Sequence, residues 1–177
     1  MKRVYVLMGG LYSFDGYATS AGMLSLVSQL GKLPDTKVKW YLWADYLSCF
    51  KDQNNEVSST DKMILIGYSG GGWRICTVSA LMAKVKEPVD LLVAYDPSPS
   101  WNMSLDENCL RNNVKHAICY QNDQKLWIPL LGNIGGGRLY PYSTLTKVDI
   151  VPISQNHLTV QFNQDLHART VATVRAL

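Results

Sequence analysis

The sequence has no apolar run long enough to span a bilayer, no block of Lys or Arg, no C-x-x-C pair, and only three histidines among 177 residues. Each absence removes a class of function. A membrane-spanning helix needs about 20 predominantly apolar residues, so no integral membrane segment is expected. The basic residues are scattered, the formal net charge is only +3, and no basic-aromatic interleaving occurs, which argues against nucleic-acid binding. Met1-Lys2-Arg3 imitates the start of a secretory signal, but the apolar run behind it, Val4 to Met8, is too short for a signal's hydrophobic region. A cytoplasmic location is the expectation. Cys49, Cys76, Cys109 and Cys119 lack the spacing of a zinc or redox motif, and read as reduced structural thiols. Asp and His are too dispersed for a metal site. No G-x-G-x-x-G with an acidic partner follows the first strand, and the Gly67 to Gly72 run has no Gly-Lys-Ser/Thr ending. No cofactor is expected.

Internal repeats, low-complexity tracts and linkers are also missing, and 47% hydrophobic content over this length suits one well-buried core, hence a single domain over 1–177. What is present is an alternation of strands and helices. Val4 to Met8 is a continuous apolar run ending in Gly9-Gly10, as a parallel strand buried on both faces requires. A helix starts near Thr19 or Ser20 and buries Met23, Leu24, Leu26, Val27 and Leu30 before Gly31. Val38 to Leu42 reads as a strand, Ala44 to Phe50 as a short helix and Lys51 to Thr60 as a polar surface loop. Further strands are predicted at Lys62 to Ile66, Asp90 to Tyr95, Lys115 to Tyr120 and Lys147 to Ile153. Helices are predicted at Gly70 to Lys86 and His157 to Leu177, the latter with Leu158, Phe162, Leu166 and Val174 on one face. This order predicts an α/β fold with a doubly wound, mostly parallel sheet. Asn122 to Thr146 lacks a clear period and reads as a long loop of the kind that serves as a lid or substrate wall.

Gly67-Tyr68-Ser69-Gly70-Gly71, directly behind an apolar strand and ahead of a helix, has the form of a nucleophile elbow. The glycines leave room for a sharp strand-to-helix reversal, and the helix N-terminus brings free N–H groups beside a reacting carbonyl.

The order of a strand ending in Gly9-Gly10-Leu11, then the elbow, then Asp96 closing Leu91 to Tyr95, then His157 after the final strand, resembles the α/β-hydrolase superfamily. The nearest likeness is to small lipase-like and esterase-like members without a cap domain. The resemblance implies a minimal α/β-hydrolase fold and an order of nucleophile, acid and base that these residues keep. Ser69 is the candidate nucleophile. His157 is the candidate base: it alone among the histidines lies in the loop after the last strand, whereas His116 starts a strand and His167 sits inside a helix. Two acids compete. Asp96 ends an apolar strand ahead of Pro97, and Asp123 follows the strand ending at Tyr120-Gln121, where many members of the superfamily keep their acid. One oxyanion donor is expected at Gly70; the family resemblance implies a second from Gly10 or Leu11. Trp73, Trp101, Trp127 and Tyr140 are candidate substrate-binding side chains. The resulting expectation is a serine hydrolase acting on a small-molecule or lipid-like ester, with a non-catalytic module, a peptidase or an acyltransferase as the alternatives on the same scaffold.

Overall fold

Continuous apolar runs become central strands, because a parallel sheet covered by helices on both faces leaves no solvent side for polar residues. The computed structural model describes residues 1–10, 20–98, 109–122, 126–128, 132–141 and 144–177. β1 (Lys2–Met8) leads to α1 (Ala21–Leu30), β2 (Thr36–Leu42), a 3-10 turn (Trp43–Asp45), α2 (Tyr46–Glu56), β3 (Lys62–Tyr68), α3 (Gly70–Lys84) and β4 (Val89–Tyr95). After them come β5 (Cys109–Leu110), β6 (Val114–Gln121), β7 (Leu126–Ile128), β8 (Gly132–Ile134), β9 (Tyr140–Pro141), β10 (Lys147–Pro152), a further 3-10 turn (Val160–Phe162) and α4 (Gln164–Ala176). Six strands form one sheet in the order β10-β6-β4-β3-β1-β2, every pair parallel.

Alternate strand residues serve opposite faces. Val4, Val6, Ile64, Ile66, Leu91 and Val93 pack with Met23, Leu26 and Leu30 of α1 and with Leu166 and Val174 of α4. Tyr5, Leu7, Leu65, Leu92 and Ala94 pack on the other side with Cys49 of α2 and Ile75, Val78 and Met82 of α3. The buried thiols Cys49, Cys76 and Cys119 form no disulfide among the described residues, and burial pushes the Cys119 thiol up to about 12. No helix among the described residues is long and apolar enough to cross a membrane.

Three segments differ from the sequence-based expectation. The helix expected to stop at Phe50 runs to Glu56, since Asp52 and Glu56 both pair with Lys39 of β2 and buried Gln53 donates to Cys49 Sγ at 3.1 Å. Tertiary bonding thus carries a helix through a polar stretch whose composition reads as loop. The closing helix begins later than expected: Asn163 caps it by accepting from the N–H groups of Asp165 and Leu166, and Leu158 and Phe162 lie outside it, 49% and 52% exposed. Asn122 to Thr146 is less irregular than expected, because β7 and β8 form an antiparallel pair and β9 pairs with β5.

At the N-terminal edge of the sheet, Asp90 ties three strands together. Its carboxylate accepts from the Met63 N–H at 3.0 Å and from Lys115 Nζ at 2.7 Å, and Lys62 Nζ lies 3.5 Å away. Burial raises its pKa, but Lys115, the Met63 amide and Lys62 together outweigh that and hold it below the ordinary value. The stability it adds is therefore complete above the usual carboxylate range, near pH 4, and is lost as pH falls through the lowered folded value. Asp90→Asn is expected to lower unfolding free energy at pH 7 by about 1–3 kcal/mol. Urea titrations at pH 7 and pH 3 should show the gap from wild type narrowing in acid; a gap that does not depend on pH would contradict this account.

Candidate active site

Strand register determines which residues meet at the C-terminal edge of the sheet. Tyr68 of β3 pairs with Tyr95 of β4, and Tyr95 with Tyr120 of β6. The next residue along each of the first two strands is Ser69 and Asp96, so both emerge from the same edge, where parallel α/β sheets bind their ligands. The chain turns sharply at each. Ser69 has φ 55° and ψ −123°, and Asp96 has φ 41°, conformations that cost non-glycine residues on the order of 1–3 kcal/mol. Cross-bonds hold the turns: Ser69 N–H donates to the Tyr95 carbonyl at 3.1 Å, Asp96 N–H to the Tyr120 carbonyl at 2.7 Å, and Ser98 N–H to the Ser69 carbonyl at 3.0 Å. The glycines permit the approach. A Cβ on Gly71 would sit 2.1 Å from the Leu7 carbonyl oxygen, and one on Gly9 would sit 2.8 Å from Ser69 Cβ.

His157, in the turn after β10, reaches both residues. Its Nε2 lies 2.8 Å from Ser69 Oγ and its Nδ1 lies 2.7 Å from Asp96 Oδ2. The consistent proton arrangement has Nδ1–H donating to the carboxylate and the Ser69 hydroxyl donating to Nε2. Tyr68 fixes the histidine from below: its hydroxyl donates to the His157 carbonyl at 2.9 Å, and its ring stacks on the imidazole with centroids 5.4 Å apart. Burial first, and the Asp96 charge second, push the Tyr68 phenol up, so it stays a neutral donor.

Asp96 is wholly buried, and a buried carboxylate needs donors on both oxygens. Its Oδ1 accepts from Gly136 N–H at 2.8 Å and from Asn122 N–H at 3.3 Å. Gly135 lies against the Asp–His contact itself, and a Cβ there would meet Asp96 Oδ2 at 2.5 Å and His157 Nδ1 at 2.7 Å. The Gly135–Gly137 run, inside the segment read from sequence as a lid or substrate wall, lies against the Asp96 carboxylate and supports it. Its neighbour bonds agree, with Gly135 N–H donating to Ser98 Oγ and Gly137 N–H to the Pro97 carbonyl.

The remaining candidates fall elsewhere. His116 is near the opposite edge, 2.8 Å from Asp149 Oδ2. His167 is buried on α4 with its ring edge toward Tyr95. Gly70 begins α3, whose first N–H groups have no intrahelical acceptor, and Gly10 follows Gly9 on the loop that touches Ser69. Leu11, Trp101 and Asp123 lie outside the described residues, as does the side chain of Trp127. Trp73 belongs to the interior, at 2% exposure, and offers a bound molecule almost no surface. Tyr140 stands half exposed on β9, with the Arg138 guanidinium 5.8 Å from its ring centre. The aromatic residue beside the elbow is Trp43, missed in the sequence, with its ring carbons 3.7 and 3.8 Å from where a Gly70 Cβ would be. Its signal was its position, directly after the C-terminal end of an edge strand. Among the described residues no group of three or more His, Cys, Asp or Glu side chains could hold a metal ion.

No protein-family profile and no curated protein matches this sequence. Solved structures do match. Est1E from Butyrivibrio proteoclasticus is 9% identical, with a TM-score of 0.57 over 98% of this chain and 88% of its own. ClbQ from the colibactin NRPS/PKS pathway is 11% identical, with a TM-score of 0.54 over 99% and 95%. The peroxisomal alpha-beta-hydrolase Lpx1 from Saccharomyces cerevisiae is 10% identical, with a TM-score of 0.50 over 99% and 78%. The chain thus has an α/β-hydrolase-like fold over nearly its whole length.

Gly135→Ala should force Asp96 and His157 apart, because the added methyl has no room and φ is +78°. We expect a stability cost of about 1–3 kcal/mol and loss of the downfield proton resonance of the Nδ1–H bonded to Asp96. A variant that keeps this resonance unchanged would show that the glycine does not support the pair.

Proposed function

We propose that this protein is a serine hydrolase cleaving ester bonds through Ser69, His157 and Asp96, with an acyl-enzyme intermediate. The observation that carries this reading is the unbroken hydrogen-bond relay from Ser69 Oγ through His157 to Asp96, with contacts of 2.8 and 2.7 Å. The turn at Ser69 supports it, since a positive φ at a serine persists only where surrounding structure imposes it. So does the fold shared with Lpx1, described as an alpha-beta-hydrolase.

In the proposed reaction His157 Nε2 takes the Ser69 proton as Oγ attacks the substrate carbonyl carbon. Asp96 keeps the imidazole in the Nδ1–H tautomer and stabilises the imidazolium that forms. Negative charge then develops on the carbonyl oxygen, facing the free N–H of Gly70 at the helix N-terminus and a second donor from Gly10 or Leu11. Collapse of the tetrahedral species expels the alcohol, which takes the proton from Nε2. Water, deprotonated by the same histidine, attacks the acyl-enzyme and releases the acid, restoring Ser69. Proton and leaving group balance at each half, and every step uses groups of this chain alone. The substrate on this reading is a small-molecule or lipid-like ester. Ferulic acid has been seen bound to Est1E, a small aromatic carboxylic acid held on the same fold.

Ser69→Ala is expected to abolish both p-nitrophenyl ester hydrolysis and labelling by a fluorophosphonate probe, with a loss of order 10⁴ or more in kcat. Asp96→Asn should lower kcat by a comparable order, through the wrong imidazole tautomer. Hydrolysis that survives Ser69→Ala would overturn the serine mechanism, and a wild type that neither labels nor hydrolyses would leave a non-catalytic module on this scaffold.

A further inference from the structure

A cation beside the proposed nucleophile, Arg74, forms no ion pair among the described residues. Arg74 sits one helical turn after Gly70 on α3, on the same face, and long side chains on a helix point back toward its N-terminus. Its guanidinium accordingly lies by the start of the helix, 4.4 Å from the Tyr46 ring centre and 5.8 Å from that of Trp43, the tryptophan that abuts Gly70. The acidic residues nearby are engaged elsewhere or stand apart. Asp52 and Glu56 pair with Lys39, and Asp45, which shares the Trp43 turn, forms no ion pair among the described residues. Arg74 Nε is shut off from solvent and has no acceptor among the described residues, so the terminal nitrogens of this half-buried side chain are the ones a carboxylate would meet.

Aromatic rings occupy the faces of a guanidinium and leave its in-plane N–H groups free, and that edge matches a carboxylate with two parallel bonds. The positive end of the α3 dipole adds to the attraction. Sheet order says which part of a substrate reaches this point. His157 and Asp96 lie on the β4-β6-β10 side of Ser69, whereas Trp43 follows β2, two strands away on the other side. A leaving alcohol must lie by His157, which protonates it, so the group opposite is the acyl chain.

We propose that Arg74, held by Trp43 and Tyr46, is a subsite for a carboxylate at the far end of the substrate's acyl group, so that the preferred substrates are monoesters of short dicarboxylic acids. This rests on the reading of Ser69 as nucleophile, and the test separates the two. The p-nitrophenyl monoester of glutaric acid is compared with p-nitrophenyl valerate, a neutral ester of the same chain length. Wild type should favour the anionic ester by about tenfold or more in kcat/KM, a preference that shrinks as salt is raised. Arg74→Gln should bring the ratio close to one, and Arg74→Lys should retain part of it. Equal rates for the two esters in wild type would overturn the subsite while leaving the hydrolase reading intact. A ratio unchanged in Arg74→Gln, with both rates reduced together, would make Arg74 a packing residue only. Calorimetric titration with glutarate at low salt reads the same site without turnover: binding to wild type and to Ser69→Ala, but not to Arg74→Gln, is expected even if no ester is cleaved. Equal binding to wild type and Arg74→Gln, or none to wild type, would refute the proposal.

Discussion

Everything at this site depends on the register of three parallel strands. Tyr68, Tyr95 and Tyr120 lie side by side, so the chain leaves the sheet at the same level on each strand. A slip of one residue in β4 would turn Asp96 toward the opposite face, because side chains alternate with period two. The register is itself secured at both ends. Asp90 binds β3, β4 and β6 at the N-terminal edge, and the backbone bonds from Ser69 and Asp96 to neighbouring carbonyls continue the ladder past the last regular residue.

The buried charge of Asp96 sets a second demand. A carboxylate removed from water is tolerable only when its oxygens find donors, and a single bond from His157 would leave one oxygen empty. The remaining donors come from backbone, through Gly136 and Asn122, whose geometry no rotamer change can relax. Tyr68 does the same for the imidazole by gripping the His157 main chain instead of its ring nitrogens, which leaves both nitrogens to Ser69 and Asp96. Gln161, whose side chain also hydrogen-bonds Tyr68, continues this support, accepting from Gly22 N–H at the start of α1 and donating to the Leu158 carbonyl. The turn bearing the histidine is thereby tied to the start of α1.

Much of this was legible in the sequence where local patterns sufficed. Apolar runs marked the central strands, and Gly67 to Gly71 marked the turn, because a sharp reversal against β1 needs glycine at the contact points. His157 could be singled out by its place after the last strand, whereas the same kind of position left Asp96 and Asp123 both open as the acid. What could not be read was set by contacts distant in the chain. The helical state of Lys51 to Glu56 depends on Lys39 and on the burial of Gln53, and composition alone gives a loop there. Gly135 to Gly137 signalled flexibility in isolation, and only the position of Asp96, some 40 residues earlier, turns those glycines into a close-packed support. Ser20 shows the same limit on a small scale. It stands at the N-cap of α1 as expected, yet its hydroxyl donates to the Gly9 carbonyl and not to the helix, because fixing the β1 loop beside Ser69 is the competing use.

The two sides of Ser69 are built differently, and the difference follows from what each would have to do. Toward β4, β6 and β10, each group near the relay is held by two or more bonds, as a proton-transfer geometry that tolerates little error requires. Toward β1 and β2, the elbow meets aromatic faces and a cation that forms no ion pair among the described residues, contacts that define shape and charge but leave donors unspent. Bonds already satisfied within the protein cannot discriminate among ligands, and unsatisfied ones can. On the proposed reading, the bond-breaking groups therefore belong on the first side, and whatever discriminates among substrates belongs on the second.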